Sequence, residues 1–201
     1  MSAAESTRTE SPGNEPQTPL DARISVQQED FDVGAEIAAL SQDDVAAGAV
    51  ASFVGLVRAD APEAKEALEA HATQKTQETR DAAGQGDAVC AMTLEHYPGM
   101  TEASLAAIAE TAWRRWRLRR LRVIHRFGRL LPGQRIVFVG VASSHRDDAF
   151  AACRFVMDYL KTQAPFWKKE ETAAGASRWV DARKSDDVAA ARWDAGEGAN
   201  S

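Results

Sequence analysis

Cysteine is almost missing from this chain: Cys90 and Cys153 are the only two in 201 residues. They are far apart and have no Cys or His nearby at metal-ligand spacing, which excludes a disulfide framework and a thiolate zinc site. Both are read as buried free thiols, and no metal ion or other cofactor is expected. Long apolar runs are missing as well, so no segment reads as a membrane-spanning helix. The first residues are rich in Ser, Thr, Glu and Pro and lack the apolar stretch of a secretory signal. A reducing cytoplasm is the expected location. Positive charge is also short, with 24 Lys and Arg against 30 Asp and Glu for a net charge of -6. Nucleic acid or an anionic membrane surface would be repelled on average, so neither is expected as a partner and any basic site must be local.

What is present suffices for one core: 44% of the residues are apolar, and the length favours a single domain. Residues 1–23 have low hydrophobicity and no period, and are expected to be a disordered tail. A single domain is placed at 24–193, and 194–201 is read as a frayed end. Ile24 and Val26 suggest a short strand, and Ile37 with Leu40 a helical turn or two. The β-branched and small residues from Gly48 to Arg58 read as a strand that leaves Arg58 at its end. Residues 59–87 change in composition to Glu, Lys, Ala, Thr and Gln, with Leu68 the one bulky apolar residue. They read as an insertion forming a mobile loop or lid, because a polar helix there would have nothing to bury.

Residues 88–97 read as a second strand, followed by a Pro98-Gly99 turn and a helix opened by Thr101 and Glu102. Its buried stripe is Leu105, Ile108, Ala112 and Trp116. Residues 121–127 and 136–142 read as strands of a hairpin around the turn at 131–134. A helix begins at Asp147 and Asp148, buries Phe150, Cys153, Met157 and Leu160, and stops near Thr162 because Pro165 disfavours helical geometry at Ala164. Lys161 then lies in the last turn, where the helix dipole favours a cation. Trp167, Trp179 and Val180 follow, with a short helix over 186–193. Strands and helices intermixed in this way indicate an α+β fold, a mixed or antiparallel sheet packed with helices.

Polar groups cluster at element ends, where sites are usually built. These are Arg58, the Ser143-Ser-His145-Arg146 turn, and Lys161 with Lys168 and Lys169. Converging, they would form an anion pocket for a phosphate or carboxylate; singly, His145 reads equally as a hydrogen-bonded loop histidine and the lysines as solvated ends. The arginines from Arg114 to Arg129, interleaved with Trp113 and Trp116, raise the possibility of a nucleic-acid surface. They straddle a helix end, a turn and a strand, so they form no single stripe, and most are expected to be solvated.

Six strings, in order along the chain, resemble the molybdopterin synthase catalytic-subunit family. They are Gly48-Ala-Val through Phe53-Val-Gly-Leu-Val-Arg58, Thr93-Leu-Glu-His-Tyr-Pro-Gly-Met100, Val123-Ile-His-Arg126, Phe138-Val-Gly-Val-Ala-Ser-Ser-His-Arg146, Met157-Asp-Tyr-Leu-Lys-Thr-Gln-Ala-Pro-Phe-Trp-Lys168 and Arg178-Trp-Val-Asp-Ala-Arg183. The resemblance implies an α/β hammerhead-like fold and a homodimer at the centre of a heterotetramer. It also implies a small ubiquitin-like sulfur carrier whose C-terminal Gly-Gly thiocarboxylate supplies two sulfurs to cyclic pyranopterin monophosphate. By the same resemblance Lys161 and Lys168 are the catalytic pair. Arg58, His145, Arg146, Lys169 and Glu170 bind substrate, and Arg183 reaches across from the second subunit. Leu56 departs from the lysine often found there in the family, and the 59–87 insertion replaces a shorter loop. Competing readings are a fold redirected toward regulation of the cofactor pathway, and a dimeric module that binds a phosphorylated ligand or nucleic acid.

Overall fold

The computed structural model describes residues 22–58, 89–172, 177–180 and 190–193. The insertion, Arg183 and the two chain ends lie outside the described residues. Strand β1 (Ala22–Gln27) leads to helix α1 (Val33–Ser41), and β2 (Ala49–Leu56) precedes β3 (Val89–His96). Helix α2 (Met100–Arg115) is followed by β4 (Leu118–Arg126), β5 (Gly128–Leu130) and β6 (Arg135–Ser143). Helix α3 (Arg146–Gln163) then gives way to β7 (Phe166–Thr172) and β8 (Ser177–Val180). Strand β1 includes Ala22 and Arg23, two residues of the expected tail.

Two four-stranded sheets result, one ordered β1-β4-β6-β2 and the other β5-β3-β7-β8. In the first, β1 runs parallel to β4, and the other pairings are antiparallel. The second is antiparallel throughout. The expected hairpin of β4 and β6 forms, but its connection is longer than a simple turn because β5 leaves to pair with β3. Alternation along β6 explains the layers. Val137, Val139 and Val141 point to α2 and α3, whereas Phe138 and Ala142 meet Phe31 and Leu40 on the α1 side. The main core therefore lies between the first sheet and α2 with α3, where Leu105, Leu121, Val139 and Phe155 are essentially inaccessible.

Local chemistry sets the helix starts. The Asp32 carboxylate accepts the Ala35 N–H at 2.9 Å to cap α1. Gly99 adopts φ 82° in the turn before α2, a conformation that favours glycine, and donates its N–H to the Glu102 carboxylate at 2.6 Å. Three expectations fail. Phe150 is 67% exposed instead of buried, because the inward stripe of α3 runs through Ala149, Ala152, Cys153 and Val156. Cys90 is exposed, and only Cys153 is a buried thiol. The arginine run is solvated only in part: Arg114, Arg115, Arg117 and Arg129 are exposed as expected, whereas Arg119, Arg122 and Arg126 are held by partners. Arg119 grips Asp44 through two nitrogens at 2.6 and 2.8 Å. Arg122 does the same to Glu36 at 2.8 and 3.1 Å, and Arg126 donates to the Gln28 and Arg135 carbonyls. They hold α1 and the segment after β1 onto the sheet, and none of these groups is left over for a nucleic-acid face. The segment after α3, for which no strand was foreseen, forms the β7–β8 hairpin.

Candidate active site

Helix α3 packs on β6 and β2. It starts just after the Ser143 end of β6 and returns to the opposite end of the sheet, where Lys161 occupies its last turn. Phe166 follows within a few residues and opens β7 on the same end. Strand β7 alternates: Phe166, Lys168 and Glu170 share a face with their partners His96, Leu94 and Met92. Leu94 and Met92 pack with Val57, the residue before Arg58, so Arg58 belongs to this end as well. Lys161, Lys168, Glu170 and Arg58 thus gather at one end of the molecule.

Glu170 is the buried member, 5% exposed. Its Oε1 receives Lys168 Nζ at 2.6 Å, and its Oε2 receives Arg178 at 3.1 and 3.2 Å. Burial alone would raise the Glu170 carboxyl, but the hydrogen bonds and charges of Lys168 and Arg178 outweigh it and hold it below the usual carboxylate range. The group carries two cations for one anion, so it keeps a net positive charge. Arg178 was quoted in the sequence strings but not counted as a site residue. Its signal was the β8 strand, too short and too close to a second strand to be read from periodicity.

Other members are placed elsewhere. Lys169 points to the opposite face of β7, where its Nζ lies 5.8 Å from the Trp179 ring centroid, so strand alternation separates it from Lys168. His145 and Arg146 sit at the far end of the sheet. Ala49 of β2 pairs with Ser143, and Leu56 with Arg135, so the length of β2, roughly 23 Å, lies between Arg58 and the His145 turn. That turn is built firmly. The Ser143 hydroxyl donates to the Arg117 carbonyl at 2.8 Å and accepts the His145 N–H at 3.3 Å. Gly48 lies so close that a Cβ there would come within 2.3 Å of the Ser144 carbonyl oxygen. His145 and Arg146 are exposed, with Arg146 3.4 Å from Asp147. Within one chain the expected site therefore falls into two halves.

A cleft of about 930 Å3 between β1, α1 and β4 contains none of these residues. Glu36 and Ser25 engage Arg122 there, and the Ala39 and Gln42 carbonyls engage Arg120. It offers little to an anion.

Fold and site together define a class: an α+β protein whose one end presents lysines and arginines around a buried carboxylate, suited to an anionic substrate. Comparison with known proteins gives the family. Residues 76–163 match the model described as MoaE protein. The chain is 51% identical over 175 residues to the molybdopterin synthase catalytic subunit of Vibrio cholerae, covering 87% of this chain and 100% of that protein. Against the subunit of the same name from Escherichia coli it is 48% identical over 173 residues, covering 86% and 99%. A solved molybdopterin biosynthesis MoaE protein from Burkholderia ambifaria matches with a TM-score of 0.64 and 50% identity, over 86% of this chain and 98% of that one. A Helicobacter pylori complex of subunits 1 and 2 of molybdopterin-converting factor, 16% identical with a TM-score of 0.55, shares the fold. This chain belongs to the family of molybdopterin synthase catalytic subunits, enzymes of molybdopterin synthesis.

Proposed function

We propose that this chain is a sulfurtransferase subunit that binds cyclic pyranopterin monophosphate. It would place on it two sulfurs taken from the C-terminal Gly-Gly thiocarboxylate of a separate small ubiquitin-like carrier. The observation that carries the reading is the gathering of Lys161, Lys168 and Arg58 at one end of the fold beside the Glu170 ion cluster. A thiocarboxylate sulfur that bonds to a substrate carbon displaces an oxygen substituent from it, which leaves with its electron pair and takes up a proton. The product is a thioester to the carrier's carbonyl. Attack by water then expels the substrate sulfur and frees the carrier as a carboxylate. Lysine ammonium groups suit this chemistry, since they stabilise the oxyanion formed at the carbonyl and move the protons it requires. Arginines and His145 suit the phosphate and the pterin. The solved Helicobacter pylori complex, a two-subunit assembly on the same fold, supports a carrier docked to this subunit.

The same reading assigns the second half of each site to a second copy of the chain. Strand β2 is an edge strand of the first sheet, and it exposes Val50, Phe53 and Leu56, with Phe150 exposed on α3. A copy related by a two-fold axis at this edge would run antiparallel. Its His145 and Arg146 would then come beside Arg58 and Lys161, and the arrangement would repeat at the other end.

The first test is mass spectrometry of cyclic pyranopterin monophosphate incubated with this protein and thiocarboxylated carrier. A dithiolene product is expected; no product while the carrier binds and stays thiocarboxylated would sink the reading. The shared site is tested by mixing two inactive variants, Lys161→Ala and His145→Ala, after dissociation and reassociation. Statistical pairing should restore about a quarter of wild-type turnover through mixed dimers with one intact site. No recovery in demonstrated mixed dimers would put both halves of the site in one chain.

A further inference from the structure

Glu170 divides its two oxygens between two strands. Oε1 accepts from Lys168 on its own strand, and Oε2 accepts from both Nε and Nη2 of Arg178 on β8. The Glu170 side chain is 7% exposed, whereas Lys168 is 36% and Arg178 57% exposed. A buried anion is therefore overlaid by two cations that reach toward solvent. With Lys168 alone, the carboxylate would form a neutral pair and commit the ammonium to itself. The second cation changes that balance, because it satisfies one oxygen and leaves a net positive charge beside Lys168.

We propose that Arg178 is a positioning residue for Lys168, taking one side of the Glu170 carboxylate so that the Lys168 ammonium is oriented yet incompletely neutralised toward an anionic substrate. Strand register makes this arrangement specific. Arg178 lies directly opposite Glu170, and Val180 opposite Lys168. A shift of β8 by one residue would send the guanidinium to the other face, where Trp179 now lies beside Lys169. The role of Arg178 in turnover rests on the reading of Lys168 as a sulfur-transfer residue; its hold on Lys168 does not.

The test therefore has two readouts. Competitive acetylation with acetic anhydride at fixed pH, quantified on the Lys168 peptide, reports the free amine without any need for activity. Arg178→Ala removes a neighbouring cation and leaves the carboxylate to Lys168 alone, so acetylation of Lys168 should slow about threefold or more. Glu170→Gln should speed it, and Arg178→Lys should return it toward wild type. If Arg178 merely braced β8, its loss would loosen the hairpin and Lys168 would acetylate as fast as in wild type or faster; that outcome overturns the proposal. With thiocarboxylated carrier and precursor, Arg178→Ala should lower kcat roughly tenfold and change the precursor KM little, with recovery in Arg178→Lys. An inactive wild-type protein would refute the sulfur-transfer reading and leave the acetylation result to judge Arg178 by itself. Slowed acetylation together with unchanged kcat would end the catalytic part of the proposal.

Discussion

The imidazole of His125 lies flat against the ring of Phe166, with centroids 3.7 Å apart and planes 19° from parallel. This stack joins the end of β4 to the start of β7, so the strand that carries Lys168 and Glu170 meets the first sheet at this histidine. Its Nδ1 is 2.9 Å from the Arg126 carbonyl; a carbonyl only accepts, so the proton is on Nδ1.

Burial pushes His125 down to about 4, the Arg126 carbonyl opposes this, and His96 adds to the depression. The unfolded chain, with an ordinary histidine near 6.5, takes up the proton first. Stability from neutral His125 should therefore be complete above about pH 6.5 and fall by on the order of 3 kcal/mol as pH drops toward 4. Urea unfolding of the wild type and His125→Phe between pH 7 and 4.5 measures this. The variant should show the shallower pH dependence, and equal slopes would remove His125 from the account.

Gly48 should accept no side chain. A Cβ would lie 2.3 Å from the Ser144 backbone oxygen, and backbone there cannot yield without displacing the turn that carries His145. Gly48→Ala should lower stability by about 1–3 kcal/mol and reduce turnover even where the protein remains folded. Thermal unfolding alongside the product assay checks both.

Lys161→Ala should abolish sulfur transfer and leave the melting temperature nearly unchanged. The side chain is exposed at the end of α3, where surface contacts and the helix dipole together contribute on the order of 1 kcal/mol or less. Wild-type turnover in this variant would remove Lys161 from the mechanism.

Arg119 and Asp44 form a two-point ion pair with side chains 30% and 11% exposed. The Asp44 carboxyl is held below its usual range chiefly by the Arg119 hydrogen bonds. Arg119→Met should cost about 1 kcal/mol, and a double-mutant cycle with Asp44→Asn should show the coupling. Additive effects would mean that the pair contributes nothing of its own.

Much of the fold was legible in the residues. The period of Leu105, Ile108 and Ala112 marked α2, the turn at Pro132-Gly133 marked the hairpin, and Pro165 marked the end of α3, because each is a short-range effect of side-chain geometry on the backbone. Phe150 shows where that logic stops. It fits the stripe of α3, but that face lies beside the edge strand β2, where none of the described residues covers it. The arginines after α2 looked solvated for the same reason: their acids, Glu36 and Asp44, lie far back in the sequence.

By itself, the sequence determined the main helices and strands, their order and the family, since local periodicity and a run of motifs in register need no three-dimensional partner; β5, β7 and β8 it left unread. Tertiary structure alone decided which charges meet. Strand register set Arg178 against Glu170 and turned Lys169 away, and the antiparallel return of α3 along β6 put Lys161 and His145 at opposite ends. Those outcomes depend on non-local pairing, in which a shift of one residue reverses a face.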